Sequence, residues 1–359
     1  MPRIIISCKT LLKGGAEKQA LILSKLLTEK KVDVILINWY RGKIDPEYFK
    51  YIEDNSIRYL TLEGSLIKKF FHFLKIVRDE NISVILSYLT LSNFLSGIAK
   101  LFVKEVVTIG GIRNEKLPYY KFIVEKWIHN KLNDATIFNN FSAGDKFVKK
   151  GFKSEKIHVI HNAIDNTQKT NSTKKSKPDI RIVTVARFVK QKDFRTALNS
   201  FKKLLDQNKN LDLNYYIVGY GPLEKEIKLL AEKLNIIDRI KIFVNPSNIP
   251  EILNDCDIYL STSLFEGLSN SLMEAMVIGL PIIATDVGDN RYLVKEGYNG
   301  YLVGCKDINS IVEKLEILIE SEELRRRFGD FNQDKIKKEF SQDNMLNQYL
   351  TLFSKFQNY

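Results

Sequence analysis

The sequence predicts an α/β protein with two Rossmann-like domains, each built on a parallel sheet that helices cover on both faces. Short apolar runs alternate with helical patterns along the chain, and this alternation occurs in two successive series. A polar stretch between the two series, residues 166–178, has no apolar anchor and is typical of a linker. The chain has 359 residues, which is enough for two domains of ordinary size.

The first series predicts a domain over residues 1–165. Its apolar runs indicate strands near residues 3–8, 32–38, 57–60, 83–87, 105–110, 135–138 and 157–160. Helical periodicity falls between these strands, for example over residues 16–30, 66–80, 119–132 and 142–150.

The second series predicts a domain over residues 179–340. Strands are expected near residues 180–186, 213–218, 240–243, 257–260, 281–284 and 301–303. Helices are expected over residues 194–207, 223–235, 249–254, 270–279, 289–296 and 307–319. The last segment, residues 341–359, contains one more helical pattern from Asn344 to Phe356.

Composition indicates a globular chain, with 44% hydrophobic and 27% charged residues. Its three cysteines, Cys8, Cys256 and Cys305, show no CxxC spacing, which argues against a disulfide framework or a zinc site and fits a reducing cytoplasm. The first residues are too short an apolar run for a signal peptide, and no run reaches the length of a membrane span. We therefore expect a cytoplasmic protein.

The net charge of +12 is distributed unevenly along the chain. Residues 1–177 contain 31 basic and 17 acidic residues, whereas residues 178–359 contain 24 and 26. A basic first half attracts an anionic partner such as a phosphate, a nucleic acid or an acidic membrane surface. A solvated surface rich in lysine explains the same excess, and the sequence leaves the two interpretations open.

The most informative motif contains two glutamates eight positions apart, Glu266 and Glu274. Gly267 disfavours a continuous helix, so we predict a strand, a loop that contains Glu266, and a helix from about Asn270 to Gly279. The N-terminus of such a helix binds anions, and Glu274 in its first turns can accept hydrogen bonds from hydroxyl groups.

Three further motifs follow predicted strands. Gly14 and Gly15 precede Glu17 after the first strand, and Gly219 and Gly221 follow the strand that ends at Val218. Such glycines allow a ligand to approach the backbone closely. Neither motif is GxGxxG, and there is no P-loop, so a dinucleotide-dependent oxidoreductase is disfavoured.

The third motif consists of two basic residues at the mouth of the second sheet. Arg187 comes directly after a predicted buried strand, and Lys192 lies five residues further on, with Lys190 as a competitor for the same role. Paired cations at this position suit a diphosphate, whose charge must be neutralised when it leaves. An ordinary surface salt bridge is the alternative.

In sequence order these motifs resemble the retaining, nucleotide-sugar-dependent glycosyltransferases of family 4 (group 1), which have the GT-B fold and include bacterial surface-polysaccharide enzymes. The resemblance implies two facing domains, the first for the acceptor and the second for the donor, and a C-terminal helix that crosses back to the first. It also implies that Arg187 and Lys192 hold the donor diphosphate without a metal, and that Glu274 binds the ribose. Glu266 and the segment Leu268, Ser269 and Asn270 then hold the donor sugar and phosphate, with Gly14, Gly15, Gly219 and Gly221 beside the donor.

The chain departs from the family pattern at two places. Many relatives have a histidine at the strand end near Gly110, and here Arg113 and Asn114 are the expected replacements, with Glu17, on the acceptor or sugar side. The loop from Asp286 to Arg291 lacks the usual glutamate after the glycines, so its donor contacts stay open. His161 and Asn162 resemble a family motif that we interpret as structural.

We therefore expect a metal-independent hexosyltransferase that uses a UDP-sugar as the first choice of donor. Its acceptor is expected to be a lipid-linked glycan in polysaccharide biosynthesis, since the acceptor domain is the basic one, and nucleic acid is not an expected partner. Asp255 and Asp257 form a D-x-D sequence, which binds metal in another glycosyltransferase fold, but the acids at this strand start are expected to face solvent. Two alternatives remain, a sugar-nucleotide epimerase or hydrolase of the same fold and a non-enzymatic membrane- or nucleic-acid-binding protein.

The segment from Ser65 to Val77 is amphipathic. Its apolar residues Leu66, Ile67, Phe70, Phe71, Phe73, Leu74 and Val77 lie on one broad arc, and Lys68, His72 and Lys75 lie opposite. Two interpretations fit this pattern, a helix that faces the core of the first domain and a helix that docks on the inner leaflet of a membrane.

Overall fold

The computed structural model describes residues 2–12, 14–40, 42–113, 117–164 and 179–356. The chain divides into two compact units, which are Met1–Ala163 together with Gln342–Tyr359, and Ile164–Ser341. The expected linker at residues 166–178 lies outside the described residues.

The first unit is built on a parallel sheet, whose strands in the described residues are β1 Ile4–Cys8, β2 Val34–Asn38, β3 Tyr59–Thr61, β4 Val84–Tyr88, β5 Val107–Ile112, β6 Ala135–Phe138 and β7 Ile157–Val159. They lie in the order β3-β2-β1-β4-β5-β6-β7, and every neighbouring pair is parallel. Strands β1, β2 and β4 are buried along their whole length, which explains why they read as continuous runs of Ile, Val and Leu.

Helices connect these strands in sequence: α1 Gly15–Glu29, α2 Pro46–Asp54, α3 Leu66–Asp79, α4 Leu89–Phe102, α5 Tyr119–Lys131 and α6 Phe141–Lys149. Right-handed crossovers place α1 and α2 on one face of the sheet, because the chain moves from β1 outwards to β3. The chain then turns back towards β7, which places α3, α4 and α5 on the opposite face, where α4 packs between α3 and α5.

The apolar residues of helix α3, which the sequence analysis placed on one arc, fall into a buried group and an exposed group. Phe73, Leu74 and Val77 are buried, and they share a core with the residues of β2 and β4 that face this side. Ile67 is 70% exposed and Phe71 is 61% exposed. The core-facing interpretation therefore accounts for one side of the arc, and the other side lies on the surface.

The second unit also contains a parallel sheet. Its strands are β8 Ile180–Val185, β9 Leu213–Gly219, β10 Ile240–Val244, β11 Ile258–Ser261, β12 Ile282–Thr285 and β13 Gly300–Val303, in the order β10-β9-β8-β11-β12-β13. The helices of this unit are α7 Phe194–Gln207, α8 Glu224–Lys233, α9 Ile249–Asn254, α10 Asn270–Ile278, α11 Asn290–Leu293, α12 Ile308–Glu320 and α13 Glu322–Glu339. Apolar clusters fill both faces of this sheet.

The last helix, α14 Gln342–Lys355, belongs to the first unit. It buries Met345, Leu346, Tyr349, Leu352 and Phe353 in the same core as the apolar face of α1. The helix that crosses back to the first domain is therefore present, and burial of these five side chains holds it there.

Three helices of the described residues were not named among the helical patterns of the sequence. Helix α4 begins at Leu89, directly after β4 ends at Tyr88, so no loop separates its periodicity from that of the strand. Helix α13 is strongly polar and buries only a narrow stripe that includes Phe328 and Ile336. Helix α2 is short and buries only Ile52 completely. Among the described residues, no helix combines the length and the apolar character of a membrane span.

Candidate functional site

The carboxyl ends of parallel strands are the usual place for ligands in open α/β sheets. In the second unit this edge contains the ends of β8, β9, β11 and β12, and the loops that follow them. Gly219 is the last residue of β9, and Arg187, Lys192, Gly221 and Glu266 lie in these loops. The structure therefore brings the predicted donor-side residues of this unit to one edge of one sheet.

Glu266 lies in the loop between β11 and α10, and its side chain is only 8% exposed. Its carboxylate forms an ion pair with the Lys192 ammonium group and accepts a hydrogen bond of 2.7 Å from Ser263 Oγ. A buried carboxylate needs such partners, because the loss of hydration would otherwise favour its neutral form. The pair brings together two residues that the sequence separates by 74 positions.

Backbone contacts lock the two loops to each other. Thr262 Oγ1 lies 3.0 Å from the carbonyl oxygens of both Lys192 and Asp193, which share its one hydroxyl hydrogen. The Leu264 N–H donates to the Gln191 carbonyl at 2.8 Å, and Gln191 Nε2 donates to the Phe265 carbonyl at 2.7 Å. These contacts fix the short 3-10 turn Lys190–Lys192, so that Lys192 points to Glu266 while Lys190 is exposed. Sequence reasoning assigned no role to Thr262, Ser263 or Gln191, since short polar residues in a loop have no periodic signal.

Gly288 packs directly on the backbone of Glu266. Its φ of +56° belongs to the left-handed region, and a Cβ atom at this position would lie 2.0 Å from the Glu266 carbonyl oxygen. The Asp289 N–H also donates a hydrogen bond of 3.2 Å to the Gly267 carbonyl. The loop after β12, whose donor contacts the sequence left open, therefore supports the Glu266 loop from behind.

Gly219 and Gly221 bring the end of β9 against the loop after β8. A Cβ atom would lie 1.9 Å from the Ala186 carbonyl oxygen at Gly219 and 2.7 Å from the Phe188 carbonyl oxygen at Gly221. Both glycines have φ near +150°, which other residues rarely adopt. The motif predicted that a ligand would approach these glycines closely. In the structure the atoms that approach them belong to the backbone of Ala186 and Phe188, the two neighbours of Arg187 in the chain. The Arg187 side chain is exposed, and among the described residues it makes no hydrogen bond or ion pair.

Helix α10 begins at Asn270, as predicted, and ends at Ile278, where Gly279 takes a left-handed conformation with φ of +82°. The N-cap residue Ser269 is buried, but its side chain makes no capping hydrogen bond to the first turn. The N–H groups of this turn are therefore not satisfied by the cap side chain, which favours an anion at this end. Leu268, the remaining predicted residue of this segment, is half-buried in the same loop.

Glu274 is exposed in the second turn of α10 and lines a pocket of about 210 Å³. The walls of this pocket are mostly apolar and come from α9, α10, the loop before α9 and the segment after β7. The lining residues besides Glu274 are Ile164, Ser247, Ile249, Pro250, Leu253, Val277 and Ile278. Glu266 does not line it. Glu274 and Glu266 nevertheless both lie near Tyr259. The pKa of Tyr259 is raised chiefly by burial, and the charges of these two carboxylates raise it further.

The first unit has its own cluster at the carboxyl edge of its sheet. Gly14 caps α1, and a Cβ atom there would lie 2.3 Å from Glu17 Oε2, because the Glu17 side chain folds back over this residue. Burial raises the pKa of Glu17 above its ordinary value. Gly15 begins the helix, and a Cβ atom there would meet nothing within 4 Å. A side chain at the first glycine would displace the flexible end of Glu17, and there is open space at the second.

Arg113, expected on the acceptor side, is engaged by the protein itself. Its Nη1 donates to Asn162 Oδ1 at 3.1 Å, its Nη2 donates to Tyr349 Oη at 2.9 Å, and the guanidinium lies 5.0 Å from the centre of the Tyr88 ring. The buried Nε has no hydrogen-bond partner among the described residues. These contacts join the end of β5 to α14, and the acceptor-side role of Arg113 stays a prediction. Asn114, its predicted neighbour, lies outside the described residues.

A buried network behind this edge escaped the sequence analysis. Glu125 on α5 is 3% exposed and accepts hydrogen bonds of 3.1 Å from Asn93 Nδ2. Asn93 also bonds both backbone groups of Gly111, at 3.2 Å each, and accepts from Ser87 Oγ at 2.9 Å. Burial raises the pKa of Glu125 to about 7. One amide side chain thus holds the strand end that precedes Arg113.

Both carboxylates of the D-x-D sequence contact Arg181. The guanidinium pairs with Asp255, and the Arg181 backbone N–H donates to Asp257 Oδ2 at 2.9 Å. Among the residues the structure describes, no cluster of three or more His, Cys, Asp or Glu side chains could hold a metal ion.

Comparisons with known proteins agree with this architecture. Residues 165–335 match the profile of the group 1 glycosyl transferases, and residues 13–168 match that of glycosyltransferase family 4. The N-acetyl-alpha-D-glucosaminyl L-malate synthase of Bacillus anthracis is 27% identical over 55% of this chain and 53% of its own length. This chain thus aligns with about half the length of that relative.

Other matches run nearly end to end. The N-acetylgalactosamine-N,N'-diacetylbacillosaminyl-diphospho-undecaprenol 4-alpha-N-acetylgalactosaminyltransferase of Campylobacter jejuni is 24% identical over 91% of this chain and 93% of its own. The crystal structure of Anabaena Alr3699/HepE in complex with UDP superposes with a TM-score of 0.83 at 16% identity, and it covers 98% of this chain and 100% of that one. The two profiles together cover residues 13–335, and the structure contains two units, each built on a parallel sheet. The chain therefore belongs to the group 1, family 4 glycosyltransferases of the GT-B fold.

Proposed function

We propose that this protein is a retaining, metal-independent hexosyltransferase. It transfers a sugar from a nucleoside-diphosphate sugar, with UDP as the first choice of nucleotide, to a hydroxyl group of a lipid-linked glycan in polysaccharide biosynthesis. The observation that carries the proposal is the arrangement at the carboxyl edge of the second unit. There the exposed Arg187, the Lys192–Glu266 pair and the N-terminus of α10 lie in neighbouring loops.

The cations supply what the leaving group requires. When the bond between the anomeric carbon and the diphosphate oxygen breaks, the nucleoside diphosphate takes the bonding electrons and gains negative charge. Arg187 and Lys192 stabilise this charge, and the first-turn N–H groups of α10 add hydrogen bonds to a phosphate oxygen. The acceptor hydroxyl forms the new bond on the same face of the sugar, and its proton passes to the departing phosphate oxygen. This route needs no general base from the protein.

Glu266 and Glu274 take different roles because they occupy different environments. The buried Glu266 holds Lys192 in place and presents its remaining oxygen to a sugar hydroxyl. The exposed Glu274 accepts hydrogen bonds from the two ribose hydroxyls, and the apolar walls of its pocket of about 210 Å³ receive part of the nucleoside.

The relatives support the choice of donor and acceptor. The name of the Campylobacter enzyme describes transfer of N-acetylgalactosamine to a glycan on diphospho-undecaprenol, and the Anabaena protein was crystallised with UDP. The excess of basic residues in the first half of this chain suits an acceptor that carries a diphosphate and sits at an anionic surface.

The first experiment measures binding and slow hydrolysis of a panel of nucleoside-diphosphate sugars in the presence of EDTA. We expect one donor to be hydrolysed selectively, with no effect of EDTA, and we expect Glu274→Ala to weaken its binding at least about tenfold, because two charge-assisted hydrogen bonds are lost. Glu251→Ala is the matched control, since Glu251 is exposed on α9 beside the pocket but does not line it.

Two results would overturn the proposal. Failure of the wild-type protein to bind any member of the panel would remove the transferase function. A sugar nucleotide that returns with inverted configuration at a ring carbon other than the anomeric one, without any acceptor, would assign an epimerase instead.

A further inference from the structure

The helical layer α3–α4–α5 of the first unit exposes large apolar side chains that its core does not need. Ile67 and Phe71 on α3 are 70% and 61% exposed, and Phe102 at the end of α4 is 51% exposed. On α5, Tyr119, Ile123 and Trp127 are 80%, 46% and 46% exposed. Soluble surfaces commonly show such residues singly, whereas here they occur on three neighbouring helices of one layer.

Helical spacing joins the exposed residues along α5, and ring contacts join those of α3 to the end of α4. Tyr119, Ile123 and Trp127 lie four residues apart, so they form one stripe along α5. Phe70 lies 6.3 Å from Phe71 and 5.9 Å from Phe102 between ring centres, which joins the exposed side of α3 to the end of α4.

The charges of this layer have one predominant sign. Helices α3, α4 and α5 contain four, one and three basic residues, against one acidic residue in α3 and one in α5. The acidic residue of α5 is the buried Glu125, so no carboxylate of α5 reaches the surface. Lys69 is also buried, but Lys68, Lys75 and Arg78 of α3 are exposed beside Ile67 and Phe71.

We propose that the outer face of the layer α3–α4–α5 docks the protein on an anionic lipid bilayer. The apolar side chains enter the boundary between headgroups and acyl chains, and the lysines around them pair with lipid phosphates. Tyr and Trp suit this depth, because one end of each ring is polar. A soluble protein partner would instead need a surface rich in acidic residues, and we treat that case as an outcome of the test.

The docking face deepens the proposed function by naming its surface partner. Helix α5 begins just beyond the carboxyl end of β5, at the edge of the sheet where Gly111 and Arg113 lie. A bilayer against the first half of α5 therefore brings this edge close to the headgroups from which a lipid-linked glycan extends. Docking can be measured without any sugar donor, so failure of one proposal leaves the other standing.

The chain contains its own fluorescent reporter. It has two tryptophans, and Trp39 is fully buried whereas Trp127 lies in the exposed stripe. We expect vesicles of equal parts phosphatidylglycerol and phosphatidylcholine to shift the tryptophan emission to the blue and to carry the protein upwards in a flotation gradient. Vesicles of phosphatidylcholine alone should bind it at least about tenfold less, and raised salt should weaken the binding to anionic vesicles.

A triple variant, Ile67→Ser, Phe71→Ser and Ile123→Ser, removes apolar side chains from two helices and keeps the reporter. We expect it to bind anionic vesicles at least about tenfold more weakly with an unchanged melting temperature, since all three side chains are exposed. Leu229→Ser is the matched control, because Leu229 is 63% exposed on α8 of the second unit, outside this layer.

Three results would overturn the proposal. The first is a wild-type protein that does not float with anionic vesicles, and the second is a triple variant that binds them as the wild type does. The third is a wild-type dimer that the triple variant dissociates while neither protein binds vesicles, which would assign the layer to a second copy of the chain.

Discussion

The Lys192 ammonium group and the Glu266 carboxylate form an ion pair that joins the loop after β8 to the loop after β11. The two side chains are 14% and 8% exposed, so the pair is largely shielded from water. Ser263 Oγ bonds the same oxygen of Glu266, and Thr262 holds the backbone at Lys192. The pair therefore has a structural role as well as the proposed role in donor binding, and the two can be separated by experiment.

Lys192→Met leaves the Glu266 carboxylate buried without its cation. We expect the free energy of unfolding of the second unit to fall by roughly 3 kcal/mol, because an unpaired buried charge is costly. The double variant Lys192→Met, Glu266→Gln should regain most of this stability without regaining donor binding. Urea unfolding and titration calorimetry with UDP measure the two effects. Equal stability of the single and double variants would show that the pair has no structural role.

Gly288→Ala should disturb Glu266 from behind. The new Cβ atom would meet the Glu266 carbonyl oxygen at 2.0 Å, in addition to the strain of a φ of +56°. Gly297→Ala is the control, because its φ is +72° and nothing lies within 4 Å of its Cβ position. We expect the control to lose only about 1–2 kcal/mol of stability. The Gly288 variant should lose clearly more stability than the control, and it should also lose donor hydrolysis. Similar losses of stability in the two variants would contradict the role of the loop after β12 in supporting Glu266.

Glu125 should make the stability of the first unit depend on pH. Its pKa is raised from 4.5 to about 7, so between these values the folded protein binds more protons than the unfolded chain. The stabilising contribution of the neutral side chain is complete below about pH 4.5 and is lost as the pH rises to about 7. Glu125→Gln, which keeps a neutral hydrogen-bonding side chain, should therefore gain roughly 2–3 kcal/mol relative to the wild type between pH 5 and pH 8. A constant difference between the two unfolding free energies over this range would contradict the prediction.

Tyr349→Phe should loosen the last helix. The substitution leaves Arg113 Nη2 without its acceptor on α14, and we expect a loss of roughly 1–3 kcal/mol, seen as faster amide hydrogen exchange in this helix. Tyr88→Phe is the control, because it also removes the 3.3 Å contact between the Tyr88 and Tyr349 hydroxyl groups but leaves the hydrogen bond from Arg113 to Tyr349 in place. Equal exchange in both variants would show that Arg113 does not anchor α14.

Much of the architecture could be predicted from the sequence, because it depends on local periodicity. Buried parallel strands read as short runs of Ile, Val and Leu, and the helices between them read as a period of 3.6 residues. The bounds of α10 were also predictable, since Gly279 ends the helix in the left-handed conformation that glycine favours. The order of the glycine, arginine and glutamate motifs was sufficient to indicate the family.

Only the tertiary structure decided which of these residues meet. It placed Lys192, and not Lys190, against Glu266, because Thr262 and Gln191 fix the short turn that contains both lysines. It tied Arg113 to Tyr349, 236 positions away. It also divided the apolar arc of α3, burying Phe73 and exposing Phe71, since burial depends on which neighbouring elements cover a face and not on the residue type. Contacts between distant segments have no local signature, so the sequence by itself determined the elements and the three-dimensional packing determined the site.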